Sequence, residues 1–278
     1  MYISTSQSYH RQKNMLLFVI FFKQCYYEFM IYRKSKYEIK ALKAAGEIVA
    51  MAHQAAKDAI REGLSTWELD KIVEDVIVKN KAIPTFKGYG GFPASICASI
   101  NEQVVHGIPS KDVILKKGDI ISVDIGATYH GFVGDSAWTY PVGEISEEVK
   151  NLLTYTQESL FAGISQMVPN NHLEDVSAAI EDVAKAHNLG IVREYGGHGV
   201  GTEMHEEPFL FNYRTNSKII IKKNCAIAIE PMLNLGCDEV HVLADNWTVV
   251  TDDKKPSAHF EHTVIAGEDG PIITTKLD

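Results

Sequence analysis

The chain has 278 residues, of which 45% are hydrophobic, enough for one large core or two closely packed halves. Its formal net charge of −9 argues against a surface built for nucleic acid. The four cysteines lack the CxxC spacing of a zinc ribbon and suggest no disulfide framework, so we expect reduced thiols in the cytoplasm at Cys25, Cys97, Cys225 and Cys237.

Residues 1–29 differ in character from the rest of the chain. Their apolar run, MLLFVIFF, spans only residues 15–22, whereas a membrane-spanning helix needs about 20 residues. The segment that follows lacks the small residues of a signal-peptide cleavage site. We therefore expect residues 1–29 to be a poorly ordered extension, included by an early start codon, and residues 30–278 to form a single domain. A short interfacial helix is the alternative for the extension.

The first half of the domain begins with two predicted helices. Ser35 with Glu38, and Ser65 with Glu68, have capping-box spacing, which predicts helices ending near residues 61 and 80. A loop rich in glycine and aromatic residues follows at 86–93, then a strand at 95–99. A strand–turn–strand over residues 118–142 completes this half.

The second half repeats this order. Ser146 opens a helix ending near residue 167, and Asn171 with Glu174 opens another that ends near residue 188. The elements that follow are a strand at 191–195, a glycine loop at 196–201, a strand at 226–232, a hairpin at 240–251 and a strand at 258–266. A segment at 72–76 resembles one at 179–183, and a similar offset places Asp124 on Glu230. The chain therefore predicts an α+β fold of two duplicated units about a pseudo-twofold axis.

The hairpin at 118–142 carries two acids, Asp124 and Asp135. If the turn lies between Tyr129 and His130, just before Gly131, the two acids are directly opposed on one face of the hairpin. Paired carboxylates among buried apolar residues repel each other and are costly to desolvate. We therefore expect a cation between them.

Acids and a histidine in other apolar or glycine-rich segments extend this site. Each has an ordinary explanation alone, such as a turn or strand-end residue, but together they suggest a metal centre of Asp124, Asp135, His198, Glu230 and Glu261. The charge of four carboxylates balances that of two divalent cations, and Asp135 and Glu261 would bridge the two metal ions. Such oxygen-rich ligation suits Mn(II), Fe(II), Co(II) or Zn(II). His106 and His205 would hydrogen-bond a substrate amide or an oxyanion. The alternative is that they are structural histidines whose hydrogen bonds are satisfied within the protein.

Five segments resemble the signature motifs of the type I methionine aminopeptidases: SICASINEQVVHGIP, ISVDIGATYHGFVGDSA, GGHGVGTEMHEEP, AIAIEPM and HFEHTVI. The resemblance covers about residues 30–278. It implies a single catalytic domain of the pseudo-twofold pita-bread fold, an antiparallel central sheet covered by two pairs of helices. It also implies that the five candidates above are the ligands of a dinuclear metal centre with a bridging hydroxide. Glu230 then shuttles the proton from the attacking water to the leaving amine, His205 contacts the scissile carbonyl and His106 steadies the substrate amide.

The resemblance also implies a pocket for a methionine side chain. Its wall positions fall on Tyr89, Phe92, Cys97, Trp247, Phe86 and Met204. Met204 stands where the family often has an aromatic residue, and His259 stands where it usually has glutamine, on the same strand face as Glu261. Val105 replaces a cysteine of some relatives. No long insertion separates His198 from Glu230, which favours the bacterial-style type I form.

The activity implied is hydrolysis of the initiator methionine from nascent proteins and peptides. A Xaa-Pro aminopeptidase or prolidase of the same fold is one alternative, although such enzymes usually carry an extra N-terminal domain that residues 1–36 cannot build. A non-catalytic pita-bread binding protein is another, although such relatives lose metal ligands. We expect a cytoplasmic monomer with no nucleic-acid or membrane partner; contact with the ribosome stays open, and the acidic charge gives it no support.

Overall fold

A computed structural model of the chain describes residues 31–277. The extension predicted at residues 1–29 lies outside the described residues. Within residues 31–277, no helix has both the length and the apolar character needed to cross a membrane.

Two helices open the described part of the chain, α1 (Lys36–Ala59) and α2 (Thr66–Lys79). Both begin at the predicted capping boxes, in which the serine hydroxyl accepts from the third helical N–H and the glutamate accepts from the serine N–H. Their apolar faces pack against each other and against the hairpin, which confirms the first predicted helix pair.

The second pair consists of α3 (Glu147–Ser165) and α4 (Leu173–Ala186), which also pack together. Ser146 caps α3 as predicted. The predicted cap of α4 at Asn171 is wrong, because His172 occupies that position and its N–H donates to the Asp175 carboxylate at 2.7 Å. Asn171 is instead held by a neighbouring loop, where its carbonyl accepts from the Ile221 N–H.

Within residues 31–277, fifteen short strands complete the fold, and every pairing between them is antiparallel. In chain order they are β1 (Ile83–Pro84), β2 (Ile96–Ile100), β3 (Gln103–Val105), β4 (Ile120–Tyr129), β5 (Phe132–Pro141), β6 (Gly190–Ile191), β7 (Gly197–Gly199), β8 (Glu206–Leu210), β9 (Ala226–Ile229), β10 (Met232–Asn234), β11 (Val240–Val242), β12 (Val249–Thr251), β13 (Ser257–His259), β14 (His262–Ala266) and β15 (Pro271–Ile273). They form four sheets rather than one continuous sheet. The α+β architecture with paired helices over antiparallel strands is confirmed.

Two predicted strands are interrupted where they carry an acid. The strand predicted at 226–232 divides into β9 and β10 around Glu230 and Pro231, and the strand predicted at 258–266 divides into β13 and β14 around Glu261. Pro231 has no N–H to donate to a ladder. The pairs Ile229–His262 and Met232–His259 nevertheless share one register, so Glu230 and Glu261 lie opposite each other in the gap.

The strand predicted at 191–195 is shorter than expected, because β6 ends at Ile191. Ile191 pairs with Leu233, and the Val192 N–H still bonds to the Met232 carbonyl. The next bond of this ladder would reach the Glu230 carbonyl, which instead accepts from the Asn212 side-chain amide at 3.0 Å, so the ladder stops. The chain from Arg193 onwards is free to turn along the edge of the site described below.

Candidate metal centre and substrate pocket

The hairpin of β4 and β5 places Asp124 and Asp135 on one face, but the predicted register is wrong. The turn residues are His130 and Gly131, both with positive φ (50° and 80°), as a two-residue hairpin turn requires. Asp135 therefore pairs with Gly126, and Asp124 with Ala137. The two acids are diagonal neighbours on the same face, because the shift changes each pairing by two residues and leaves the side-chain alternation intact.

Strand β5 also holds the segment that carries Glu261. The Glu261 N–H donates to the Ala137 carbonyl at 2.8 Å, and the Ser136 hydroxyl donates to the Glu261 carbonyl at 2.6 Å. The Thr263 hydroxyl donates to the carbonyl of Asp135 at 2.9 Å. These bonds join the two duplicated halves of the fold directly beside the acids.

His198 comes from β7, which lies between β8 and β9. The close approach of β7 to β9 requires glycine at position 197, because a Cβ there would lie 2.2 Å from the Ala228 carbonyl oxygen. His198 Nδ1 lies 3.0 Å from the carbonyl oxygen of Gly199. The opposite ring nitrogen, Nε2, faces Asp135 at 3.6 Å and Glu230 at 3.5 Å.

The four carboxylates and His198 form one buried cluster. Ligand atoms of Asp135, His198 and Glu261 all lie within 4.8 Å of one another. Within residues 31–277, one oxygen each of Asp124, Asp135 and Glu261 is buried and has no hydrogen-bond partner. Buried polar atoms are normally satisfied, so these oxygens fit a divalent metal that would complete their coordination.

Burial shifts the pKa values of the cluster, because a charged side chain is costly to desolvate. Burial raises the pKa of Asp124 to about 7, and the nearby Glu230 carboxylate contributes to this rise. Burial and the neighbouring carboxylates hold the pKa values of Asp135 and Glu261 well above their usual range. Burial also holds the pKa of Glu230 well above its usual range, and lowers that of His198 to about 3. The imidazole is therefore neutral near pH 7, the form that binds metals.

His259 contacts the cluster. It is 2% exposed, and its Nε2 lies 3.5 Å from Glu230 Oε2, on the other side of the carboxylate from His198. This distance brings a residue that departs from the family pattern into contact with a metal-ligand candidate. Burial lowers the pKa of His259 to about 4, so the side chain is neutral near pH 7.

A cavity of about 450 Å³ opens beside the cluster. Every residue that the sequence predicted for the site lines it: Phe86, Tyr89, Phe92, Cys97, His106, Asp124, Asp135, His198, Met204, His205, Glu230, Trp247 and Glu261. One wall is apolar, since Phe86, Phe92, Cys97 and Met204 belong to one buried cluster. Trp247 packs edge-on against Phe92, with ring centroids 5.1 Å apart.

Cys97 belongs to the apolar wall, where its side chain is buried. It pairs directly with Asp124 across β2 and β4. Burial and the adjacent Asp124 carboxylate hold the pKa of its thiol well above the usual range. Because the thiolate is the reactive form, a protonated buried thiol serves as a small hydrophobic side chain.

His106 and His205 flank the cluster from the rim of the cavity. His106 has a left-handed backbone conformation (φ 60°) and packs edge-on against Tyr195 and Trp247. Strained backbone of this kind is common at functional sites. His205 Nδ1 lies 2.8 Å from the Tyr89 hydroxyl, and its ring packs against that of His198 with centroids 4.3 Å apart.

The profile of metallopeptidase family M24 matches residues 40–268. The chain belongs to this family. It is also 50% identical over 249 residues to methionine aminopeptidase 1 of Bacillus subtilis, an alignment that covers 89% of this chain and 100% of that protein. It therefore belongs to the methionine aminopeptidases within the M24 peptidases, and as a metallopeptidase it depends on divalent metal ions.

The M24 fold also appears in comparisons with solved structures. The methionine aminopeptidase of Thermotoga maritima is 42% identical, with a TM-score of 0.88 covering 89% of this chain and 100% of that one. The prolidase of Pyrococcus furiosus has a TM-score of 0.70 at 24% identity, covering 89% of this chain but 66% of that one. The similarity to the prolidase shows only that the two proteins share a fold.

Several further residues of this M24 peptidase line the cavity. Val105 and His259 had been noted as departures from the family pattern, whereas Glu194, Tyr195, Gly196, Glu206, Glu207 and Phe209 had not been predicted for the site. Tyr195 gave no signal, because its position depends on where β6 ends.

A buried ion pair supports the loop that carries Met204 and His205. Lys34 is 6% exposed, and its Nζ lies 2.5 Å from Glu206 Oε2. The other oxygen of Glu206 accepts from the Thr202 N–H at 3.0 Å. Lys34 therefore connects the segment preceding α1 to the rim of the cavity.

We expect Lys34→Met to lower the free energy of unfolding by about 3 kcal/mol, because it leaves the Glu206 carboxylate buried without its partner. Urea unfolding monitored by circular dichroism measures this loss. The double variant Lys34→Met/Glu206→Gln should recover part of it, because no unpaired charge remains buried. A single variant as stable as the parent would contradict this account of the loop.

Proposed function

We propose that this M24 peptidase hydrolyses the N-terminal methionine from nascent proteins and peptides. The observation that carries the proposal is the direct opening of a buried carboxylate–imidazole cluster into an apolar pocket walled by aromatic residues, Cys97 and Met204. The 50% identity to a relative named methionine aminopeptidase supports it.

We propose two divalent metal ions, held by Asp124, Asp135, His198, Glu230 and Glu261. The unpartnered buried oxygens of Asp124, Asp135 and Glu261 support this donor set, and four carboxylates match the charge of two divalent cations. When bound, such ions polarise a carbonyl and lower the pKa of water so that hydroxide is available near neutral pH. Co(II), Mn(II), Fe(II) and Zn(II) all fit these donors.

Glu230 is proposed as the group that moves the proton. Its carboxylate lies between His198 and His259, 3.5 Å from a ring nitrogen of each, and lines the cavity. In this position Glu230 takes the proton of the attacking water and delivers it to the leaving amine. His205 is proposed to contact the scissile carbonyl and His106 to steady the substrate amide, roles that their places on the rim support.

The methionine side chain is proposed to occupy the apolar wall. A flexible thioether packs well against aromatic edges and other soft groups. Phe86, Phe92 and Trp247 supply the aromatic surfaces, and Met204 adds a second thioether in place of a ring. Tyr89, which is 46% exposed, stands at the entrance beside His205.

We propose that the protein acts as a monomer in the cytoplasm and that its partners are the N-termini of nascent polypeptides. The acidic net charge of −9 is consistent with the expectation of no nucleic-acid partner. Contact with the ribosome stays an open expectation.

We expect the metal-loaded protein to release methionine from Met-Ala-Ser and to leave an Ala-Pro substrate intact. Liberated amino acid is measured by chromatography after incubation with each peptide. Cleavage of the Ala-Pro substrate alone would favour an Xaa-Pro peptidase, and no release from either peptide would favour a non-catalytic binding protein. The Xaa-Pro alternative shares the fold, so substrate choice is the property that separates the two enzymes.

A further inference from the structure

The chain leaving His205 presents a row of side chains on one face. Residues at odd positions from 207 to 213 are exposed or half-buried, whereas Pro208, Leu210 and Asn212 between them are buried. This is the period-two alternation of an extended strand. This face therefore carries Glu207 and Phe209, which are exposed, followed by Phe211 and Tyr213, which are half-buried.

Three aromatic residues of this face touch one another, and we call Phe209, Phe211 and Tyr213 the aromatic row. The rings of Phe209 and Phe211 pack edge-on with centroids 4.7 Å apart, and those of Phe211 and Tyr213 are 5.3 Å apart. The Arg193 guanidinium lies 4.7 Å from the centre of the Tyr213 ring and is itself held by Asp238. The three side chains of the row therefore support one another by direct contact.

The aromatic row begins at the cavity. Phe209 lines the cavity and is still 39% exposed. Its ring packs over Gly196, another cavity residue, where a Cβ would lie 3.1 Å from the ring. Phe211 and Tyr213 continue from this point away from the cavity. An apolar surface that is partly exposed and continuous with a binding cavity fits an interaction site.

We propose that the aromatic row binds the part of the substrate polypeptide that follows the scissile bond, and that it favours apolar or aromatic side chains there. This inference rests on the proposed removal of N-terminal methionine. With methionine in the pocket, the rest of the polypeptide must leave across the rim. An extended chain advances about 3.3 Å per residue, so the two ring-to-ring steps span about three substrate residues, roughly the third to the fifth.

The occupant is the substrate rather than another protein because the row starts inside the catalytic cavity. A polypeptide held at its first residue is already bound beside Phe209, so further contacts along the row cost little additional entropy. Aromatic side chains also provide contact area with few rotatable bonds.

The test compares three substrates, Met-Ala-Ser, Met-Ala-Ser-Gly-Gly and Met-Ala-Ser-Phe-Leu, with the metal-loaded protein. We expect kcat/KM for the Phe-Leu peptide to exceed that for the Gly-Gly peptide by about five- to tenfold, as one or two aromatic contacts allow. The double variant Phe211→Ala/Tyr213→Ala should abolish this preference. It should leave kcat/KM for Met-Ala-Ser within about twofold of the parent, because by this spacing the two side chains meet the fourth and fifth substrate residues, which Met-Ala-Ser lacks. Phe161→Ala, at a 42% exposed aromatic on α3, is the matched control and should keep the preference.

The outcomes separate this inference from the proposed function. If Met-Ala-Ser is cleaved but the double variant keeps the Phe-Leu preference, the aromatic row is not the binding surface and the proposed function stands. If the parent cleaves none of the three peptides, the proposed function fails and the inference fails with it. If sedimentation velocity shows a dimer that the double variant dissociates, the row is a subunit interface and the inference is overturned.

Discussion

Replacing Glu230 by glutamine is expected to lower kcat by about 10²- to 10⁴-fold, the usual contribution of general acid–base catalysis. Glutamine keeps the shape of the side chain but cannot accept the proton of the attacking water. Steady-state hydrolysis of Met-Ala-Ser by the parent and the variant measures the loss. Turnover equal to that of the parent would refute the proton-shuttle role.

Two controls make this prediction specific. Glu47→Gln makes the same chemical change at an exposed position of α1 and should leave kcat within about twofold of the parent. Because Glu230 is also a proposed metal ligand, the metal content of Glu230→Gln is measured by atomic emission. If the variant retains both metals and loses turnover, the defect lies in proton transfer. If the variant loses metal, the defect lies in metal binding.

Removing divalent metal with a chelator is expected to lower the Tm, and adding Mn(II) should restore it. Ions that bind only the folded protein stabilise it by about 2.7 kcal/mol at a hundred times their Kd. For a chain of this size that corresponds to a rise in Tm of about 5 °C or more. The physical source is the set of buried oxygens on Asp124, Asp135 and Glu261, which have no partner among the described residues.

Asp135→Asn tests whether these residues are the source of the effect. The amide carries no charge and offers one oxygen, so we expect the Mn(II)-dependent rise in Tm to fall by more than half. The exposed Asp269→Asn is the matched control and should keep the full rise. Differential scanning fluorimetry measures both, independently of catalysis. An undiminished rise in Asp135→Asn would remove Asp135 from the proposed ligand set.

The helix starts and the composition of the site could be predicted from the sequence because their causes are local. A capping box is read from residues three apart, as at Ser35 and Ser65, and both helices begin there. The acids could be recognised because burying a charged residue inside an apolar strand costs free energy unless an opposite charge or hydrogen bonds compensate it. Even the wrong hairpin register kept Asp124 and Asp135 on one face, because side-chain alternation survives a shift of two residues.

Local pattern could not predict where the strands stop, because that depends on their partners. The apolar runs around Glu230 and Glu261 read as continuous strands, yet Pro231 breaks the ladder and leaves the two acids opposed in a gap between sheets. Strand β6 ends at Ile191, because the Glu230 carbonyl that would continue its ladder accepts from the Asn212 side chain, and Tyr195 lines the cavity. The gap at Glu261 and the end of β6 both depend on partner residues at 230 and 231, 30 or more places away in the chain.

By itself, the sequence determined the paired helices, the five candidate ligands and the likeness to the methionine aminopeptidases, since these depend on residue type and short spacing. The tertiary structure alone decided the contact of His259 with Glu230, the support of the His205 loop by Lys34, and the continuity of the aromatic row with the cavity. Those features join segments far apart in sequence. Their geometry follows from packing and sheet register, which emerge only when the two halves of the fold come together.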